Sequence, residues 1–178
     1  MSTIKILDRN FIIYLSELQI QQTLLSIAQK MNNTLFNQDP LFICVLNGSF
    51  MFASDLFKEI NFPCEITFLK LASYKGTQSS GKINQLVGLK ENIEGRNIVL
   101  IEDIIDTGLT ITYLINELNS LKPASIKIAT LLLKPEALKF DIKPDYVGFE
   151  VPNKFLVGYG LDYNGYGRNF KHIYSEIE

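Results

Sequence analysis

The run Val99-Leu100-Ile101-Glu102-Asp103-Ile104-Ile105-Asp106-Thr107-Gly108-Leu109-Thr110 passes from apolar residues through three carboxylates to a Thr-Gly-Leu-Thr sequence. Its start reads as a buried strand over Asn97 to Ile101, followed by a loop of carboxylates. A helix is then predicted from about Leu109 to Leu121, because Ile111, Leu114, Ile115 and Leu118 recur on one face. A short strand that is apolar on both faces, joined to an amphipathic helix, is the repeating unit of a parallel sheet covered by helices.

The chain on either side repeats that unit. Upstream, Leu41 to Leu46 is wholly apolar and ends in Asn47-Gly48-Ser49, after which Phe50, Ala53, Leu56, Phe57 and Ile60 resume helical spacing. Before it, Ser16 to Met31 carries Ile20, Leu24, Ile27, Ala28 and Met31 at helical spacing, with Ser16 and Gln19 matching a capping box. Cys64 to Leu71 and Gln85 to Leu89 read as strands on either side of the polar, glycine-bearing stretch Ser73 to Lys82. Downstream, strands are predicted at Ser125 to Leu133, Tyr146 to Glu150 and Phe155 to Tyr159. The fold class is therefore α/β, a mainly parallel twisted sheet flanked by helices. Ligands of such sheets bind beyond the carboxyl ends of the strands. The chemistry is expected in the loops that begin at Asn47, Glu102, Lys134 and Gly160.

Composition narrows the function. The chain has 178 residues, 47% hydrophobic and 20% charged, a balance that folds unaided into one core. Seventeen Lys plus Arg against nineteen Asp plus Glu leave a net charge of -2, which argues against nucleic acid as a partner. No apolar run approaches the roughly 20 residues of a membrane helix, and the amino-terminal residues lack a secretory pattern, so no membrane partner and a cytoplasmic location are expected. Cys44 and Cys64 lie in apolar stretches and are expected to be reduced thiols. A single histidine, His172, argues against a poly-histidine zinc site or a Ser-His-Asp triad. The triplets Asn32-Asn33-Thr34 and Asn47-Gly48-Ser49 carry no glycosylation argument without a secretory signal.

Read from chemistry alone, the backbone N–H groups and hydroxyls of Thr107-Gly108-Leu109-Thr110 at a helix start suit a phosphate. The adjoining carboxylates suit a pair of ribose hydroxyls or a bound Mg²⁺. The plain alternative is that Glu102 and Asp103 solvate a strand end while Asp106 or Thr107 caps a helix.

The whole string resembles the phosphoribosyl pyrophosphate motif of the purine phosphoribosyltransferases. The resemblance continues in Leu46-Asn47-Gly48-Ser49, Ser73-Tyr74-Lys75-Gly76-Thr77, Leu132-Leu133-Lys134-Pro135, Val147 to Pro152 and Lys154 to Tyr163. It covers the chain from about Leu41 to Arg168 and is that of the hypoxanthine (hypoxanthine-guanine) phosphoribosyltransferases. It implies a single domain over 1–178, with a mobile loop around 73–83 and a small hood built from the N-terminal and C-terminal segments. It implies Mg²⁺ as cofactor, phosphoribosyl pyrophosphate and a purine base as substrates, and a homodimer or homotetramer.

Residue by residue, the resemblance makes Asp106 the general base. Glu102 and Asp103 would hold the ribose hydroxyls, directly or through Mg²⁺. Thr107, Gly108, Leu109 and Thr110 would cradle the 5'-phosphate. Leu46, Asn47, Gly48 and Arg168 would bind pyrophosphate. Lys134 would donate to the purine 6-oxo group, Phe155 would stack on the ring, and the Leu156 backbone would read its edge. Asp162 would sit beside the purine as ligand of a second Mg²⁺, the metal set thus being Glu102, Asp103 and Asp162. Ser73 and Tyr74 would lie in the loop that closes over the reaction centre.

One departure stands out. Asn47 occupies a position where many relatives carry lysine, so pyrophosphate binding there is expected to rest on backbone donors. Gly160 and Gly165 also replace side chains common in relatives. The leading function is transfer of the phosphoribosyl group to hypoxanthine, and to guanine. The alternatives are a sensor of phosphoribosyl pyrophosphate with a regulatory role, and a xanthine-preferring transferase. A general nucleotide-binding module is disfavoured by the lack of a P-loop and of a complete G-x-G-x-x-G, since Tyr163 stands where the third glycine belongs.

Overall fold

A computed structural model describes residues 3–71, 86–87 and 89–177. Ser73, Tyr74 and the 73–83 loop lie outside the described residues. In chain order the elements are β1 (Thr3–Ile6), β2 (Arg9–Leu15), α1 (Glu17–Leu35), β3 (Leu41–Leu46), α2 (Phe50–Lys58), β4 (Glu65–Leu71), β5 (Leu86–Val87), β6 (Asn97–Ile105), α3 (Leu109–Ser120), β7 (Ser125–Leu133), β8 (Tyr146–Glu150), β9 (Leu156–Val157) and β10 (Ile173–Glu176).

The main sheet has the order β5-β4-β3-β6-β7-β8. Strands β4, β3, β6, β7 and β8 run parallel, and β5 joins the β4 edge antiparallel. Its central strands are apolar on both faces because helices cover both. Phe42 and Cys44 of β3, with Val99 and Ile101 of β6, pack with Ile20, Leu24 and Met31 of α1 and Phe52 and Leu56 of α2. The alternate residues Leu41, Ile43, Ile98 and Leu100 pack with Ile111, Leu114 and Leu118 of α3. That alternation brings the carboxyl ends of β3, β6 and β7 together between the two helical layers.

A second sheet, in the order β1-β2-β10-β9, is antiparallel and built around Ile6, Phe11, Val157 and Tyr174. Strands β1, β2 and β10 are additions to the sequence reading, although the alternation Phe11, Ile13, Leu15 was there to be seen. The predicted strand Phe155 to Tyr159 shortens to Leu156–Val157 and joins this second sheet, because Gly158, Tyr159 and Gly160 take φ of 102°, 49° and 97° and turn the chain out of extended geometry.

Three other boundaries differ. Strand β6 continues through Ile105, so Glu102 and Asp103 belong to the strand and the loop starts at Asp106. Helix α1 runs to Leu35 rather than Met31, because Leu35 extends its buried face and the polar residues between find partners. Asn32 Nδ2 donates to the Glu59 carbonyl, and Thr34 Oγ1 bonds the Tyr146 hydroxyl. Helix α2 stops at Lys58, short of the predicted Ile60. The capping box forms as read: Ser16 N donates to Gln19 Oε1 at 2.9 Å, and Gln19 N to Ser16 Oγ at 3.3 Å. His172 Nδ1 accepts from Glu17 N at 2.8 Å, giving the histidine a structural role at the start of α1. Both thiols are free, Cys44 buried and Cys64 half-buried. Among the described residues no helix is long and apolar enough to cross a membrane.

Candidate active site

The residues 102–111 line a cleft of about 260 Å³ at the carboxyl end of β6, at the small end of ligand sites and sized for one part of a larger substrate. Glu102 and Asp103 line it from within the strand, the first buried and the second half-buried. Glu102 is buried, and its Oε2 has no hydrogen-bond partner. Burial, aided by the neighbouring Asp103 charge, pushes its carboxyl well above the usual carboxylate range. Asp103 is raised to about 6, again chiefly by burial, with Arg168 acting in the opposite sense. A buried carboxyl beside a half-buried one suits a cation or a pair of hydroxyls.

Asp103 also explains Gly48. A Cβ at position 48 would lie 1.7 Å from Asp103 Oδ2, so only glycine lets the β3–α2 loop approach the carboxylate. The peptide Leu46-Asn47 in this loop is cis. Ser49 is buried, its hydroxyl bonding the Val45 carbonyl and lying 3.0 Å from Cys44 Sγ.

The start of α3 is open. Its N-cap is Gly108, at φ 82°, and no side chain caps the first turn. A Cβ on Gly108 would meet only the tip of Ile142, which can move aside, so it is the φ of 82° that calls for glycine. The N–H groups at this helix start, beside the hydroxyls of Thr107 and Thr110, form a ready anion cradle. The alternative in which Asp106 or Thr107 caps the helix is not what the chain adopts: Thr107 Oγ1 accepts only a long 3.4 Å bond from Leu109 N, and Asp106 turns elsewhere.

Asp106 turns to Lys134. Lys134 Nζ donates to Asp106 Oδ2 at 2.7 Å, joining the ends of the neighbouring strands β6 and β7. The lysine side chain is 8% exposed and the aspartate 46%. The pair is thus a buried ammonium held by a carboxylate that faces the solvent-filled cleft. Lys134 N also donates to the Ile105 carbonyl, fixing the strand end from which the side chain departs. Asn153 Oδ1 lies 3.5 Å from the same Nζ, a neighbour that sequence reasoning missed because nothing in a single Asn marks it.

Phe155 is 40% exposed, packed edge-on to Tyr163 and tilted against Phe11, and the Arg9 guanidinium lies 5.4 Å from its ring centroid. Leu156 follows in β9, where it pairs with Ser175. Asp162 stands apart from the Glu102-Asp103 pair in its bonding. Its Oδ1 meets Arg168 Nη2 at 2.6 Å and its Oδ2 accepts from Gly165 N at 2.7 Å. Arg168 Nη1 donates to the Gly160 carbonyl at 2.6 Å. Among the described residues no three acidic, His or Cys side chains converge as a metal cage. Gly160, unexplained by the sequence, abuts Gly48: a Cβ there would lie 2.0 Å from the Gly48 oxygen. Gly165 has φ 87° and open space around it.

Carboxylates at a parallel-strand end, an open helix start suited to a phosphate and a lysine at the end of the next strand are the parts that a phosphoribosyl-transfer site requires. Comparison with known proteins agrees. Residues 14–164 match the model of the phosphoribosyl transferase domain. The chain is 44% identical over 162 residues, 90% of each chain, to a hypoxanthine-guanine phosphoribosyltransferase of Bacillus subtilis. It is 41% identical over 155 residues, 86% of this chain and 85% of the other, to a hypoxanthine-guanine-xanthine phosphoribosyltransferase of Tritrichomonas foetus. A crystal structure of a hypoxanthine-guanine phosphoribosyltransferase from Bacillus anthracis superposes with TM-score 0.83 at 37% identity, covering 93% of this chain and 96% of that one. The chain belongs to the phosphoribosyltransferase family and, within it, to the hypoxanthine-guanine phosphoribosyltransferases.

Proposed function

We propose that this chain is a purine salvage transferase that moves the 5-phosphoribosyl group from phosphoribosyl pyrophosphate to hypoxanthine and guanine, giving IMP or GMP and pyrophosphate. The observation that carries the reading is the Lys134–Asp106 pair at the ends of adjacent strands, beside the open start of α3. A sensor of the sugar phosphate alone has no use for it. A purine base that carries a 6-oxo acceptor and an imidazole N–H donor suits a lysine donor beside a carboxylate acceptor.

In this reading N9 of the base bonds to C1' of the ribose, the C1'–oxygen bond to pyrophosphate breaks, and the N7 proton passes to Asp106. The 6-oxo group competes with Asp106 for Lys134 Nζ, so arrival of the base frees the carboxylate to take that proton. Phe155 stacks on the ring, and the Leu156 backbone and Asp162 lie along its edge. Thr107, Gly108, Leu109 and Thr110 hold the 5'-phosphate. Leu46, Asn47, Gly48 and Arg168 face the pyrophosphate, the loop using backbone N–H groups where Asn47 supplies no charge. Ser73 and Tyr74 keep the proposed role of closing residues.

The unpartnered, buried Glu102 Oε2 and the adjoining Asp103 fit Mg²⁺. Bound there, the ion would offset charge on the departing pyrophosphate. Asp162, whose two oxygens each have one partner, Arg168 or Gly165 N, keeps lone pairs for a second ion. An assembly of two or four chains belongs to the same proposal. The exposed Phe50 and Phe68, with Phe57 and Ile66 between α2 and β4, support it, and light scattering on the purified protein checks it. A cytoplasmic location is likewise proposed.

The deciding experiment supplies Mg²⁺ and phosphoribosyl pyrophosphate and offers hypoxanthine, guanine, xanthine and adenine in parallel. IMP formation is expected, with GMP. Turnover of xanthine in preference to both would replace the reading by a xanthine-preferring transferase. Binding of phosphoribosyl pyrophosphate without turnover of any base would replace it by the sensor.

A further inference from the structure

The backbone of Gly160 lies against the Gly48 carbonyl, joining two segments more than a hundred residues apart in the chain. Tyr159, next to Gly160, is 2% exposed, and its hydroxyl donates to Asp55 Oδ2 at 2.7 Å. Asp55 lies in the middle of α2, the helix that opens with the Asn47-Gly48-Ser49 loop. The same carboxylate accepts from Gln21 Nε2 of α1 at 3.3 Å and from Lys58 Nζ at 2.8 Å, so it is oriented from two helices before it meets the tyrosine.

The other side of the loop is fastened as closely. Tyr159 N donates to the Phe170 carbonyl at 2.8 Å and Gly160 N to the Arg168 carbonyl at 3.0 Å. Arg168 in turn bonds the Gly160 carbonyl and Asp162. Tyr159 holds φ 49° between two glycines at positive φ, a conformation that a tyrosine keeps only where its surroundings over-determine it. Ring packing alone would bury a phenylalanine equally well. The hydroxyl adds a bond of fixed direction to one atom of α2.

We propose that Tyr159 and Asp55 are positioning residues: their hydrogen bond ties α2 and its Asn47-Gly48 loop to the Gly160–Arg168 segment and thereby sets the spacing of donors on the two sides of the pyrophosphate subsite. The inference rests on the reading of those donors as a pyrophosphate subsite given above. Removing the hydroxyl leaves Asp55 with Gln21 and Lys58, so the fold survives while the loop gains freedom. A shift of about 1 Å in a positioning group is enough to weaken a substrate contact strongly.

The test compares the wild-type protein with Tyr159→Phe, Asp55→Leu and Asp55→Asn. Initial rates are measured while phosphoribosyl pyrophosphate and hypoxanthine are varied separately, and calorimetry measures pyrophosphate binding in Mg²⁺. Tyr159→Phe and Asp55→Leu are expected to raise KM for phosphoribosyl pyrophosphate and Kd for pyrophosphate by about 5- to 50-fold, a common size for coupling between sites. KM for hypoxanthine should stay within about twofold, and Asp55→Asn, which keeps an oxygen acceptor for the tyrosine, within about threefold of wild type throughout. A merely structural role lowers the melting temperature or scales the rate without separating the two KM values. Unchanged pyrophosphate binding in Tyr159→Phe, or equal rises in both KM values, overturns the proposal. Wild-type protein that neither binds pyrophosphate nor turns over a base overturns the subsite reading itself and shows up before any variant is compared.

Discussion

At the scale of single residues the proposed reaction assigns proton transfer to Asp106, which faces the cleft, and ion or sugar binding to the neighbouring Glu102 and Asp103. Asp106→Asn keeps the shape of the acceptor but cannot take a proton. The chemical step is expected to fall by roughly 10²- to 10⁴-fold, with phosphoribosyl pyrophosphate binding little changed, as single-turnover and binding measurements would report. Equal single-turnover rates for variant and wild type would remove Asp106 from the role. Asp103 makes a prediction in pH. Its carboxyl, raised to about 6, holds a proton in the ligand-free native state over a window where the unfolded chain, with the ordinary value of 3.8, has lost it. Native protein then binds more protons than unfolded protein, so stability falls as pH rises through that window, by up to about 1.4 kcal/mol per pH unit. Glu102, raised in the same direction, adds to the fall. Urea midpoints between pH 4 and 8 should show the slope, and Asp103→Asn should reduce it. A wild-type midpoint rising with pH across that window would contradict it.

Elements place these residues, and their ends carry the information. The capping box at Ser16 closes α1 without touching the site. Ser16→Ala should cost about 1 kcal/mol and leave kcat unchanged, which chemical denaturation and a rate assay together would test. A loss of activity without loss of stability would mean that α1 does more than cover the sheet. Helix α3 has the opposite arrangement, an uncapped start at Gly108 that a bound phosphate would complete. Both ends were legible from local sequence, because a cap is a matter of three or four neighbouring residues. The end of β6 was not. Glu102 and Asp103 looked like a loop since charges rarely sit in buried strands, and they remain strand because β7 pairs with β6 as far as Ile105.

For the whole molecule, strand ends, helix start and second sheet meet only in the folded chain, so ligands that bridge them should stabilise it by linkage. Mg²⁺ with phosphoribosyl pyrophosphate at about 100 times Kd should add roughly 2.7 kcal/mol, a rise in Tm of several degrees. Either component alone should add less if Glu102 and Asp103 receive the ion together with the sugar. Differential scanning calorimetry with each and with both decides it, and strictly additive shifts would count against a shared site. The Gly48–Gly160 contact belongs to this scale too, since it joins the main sheet to the loop beside the second one across more than a hundred residues of chain.

The sequence by itself determined the parallel α/β sheet, the helix faces, the capping box and the identity of the acidic, lysine and glycine motifs. Each of these is written in local periodicity or in the chemistry of a short run. Tertiary structure alone decided that Lys134 rests on Asp106, that Asp162 is held by Arg168 and Gly165, that Gly160 must lack a side chain beside Gly48, and that Leu156 and Val157 form a strand of the second sheet. Those facts depend on which distant backbones approach one another, and such approach is set by packing between layers, to which no single stretch of sequence has access.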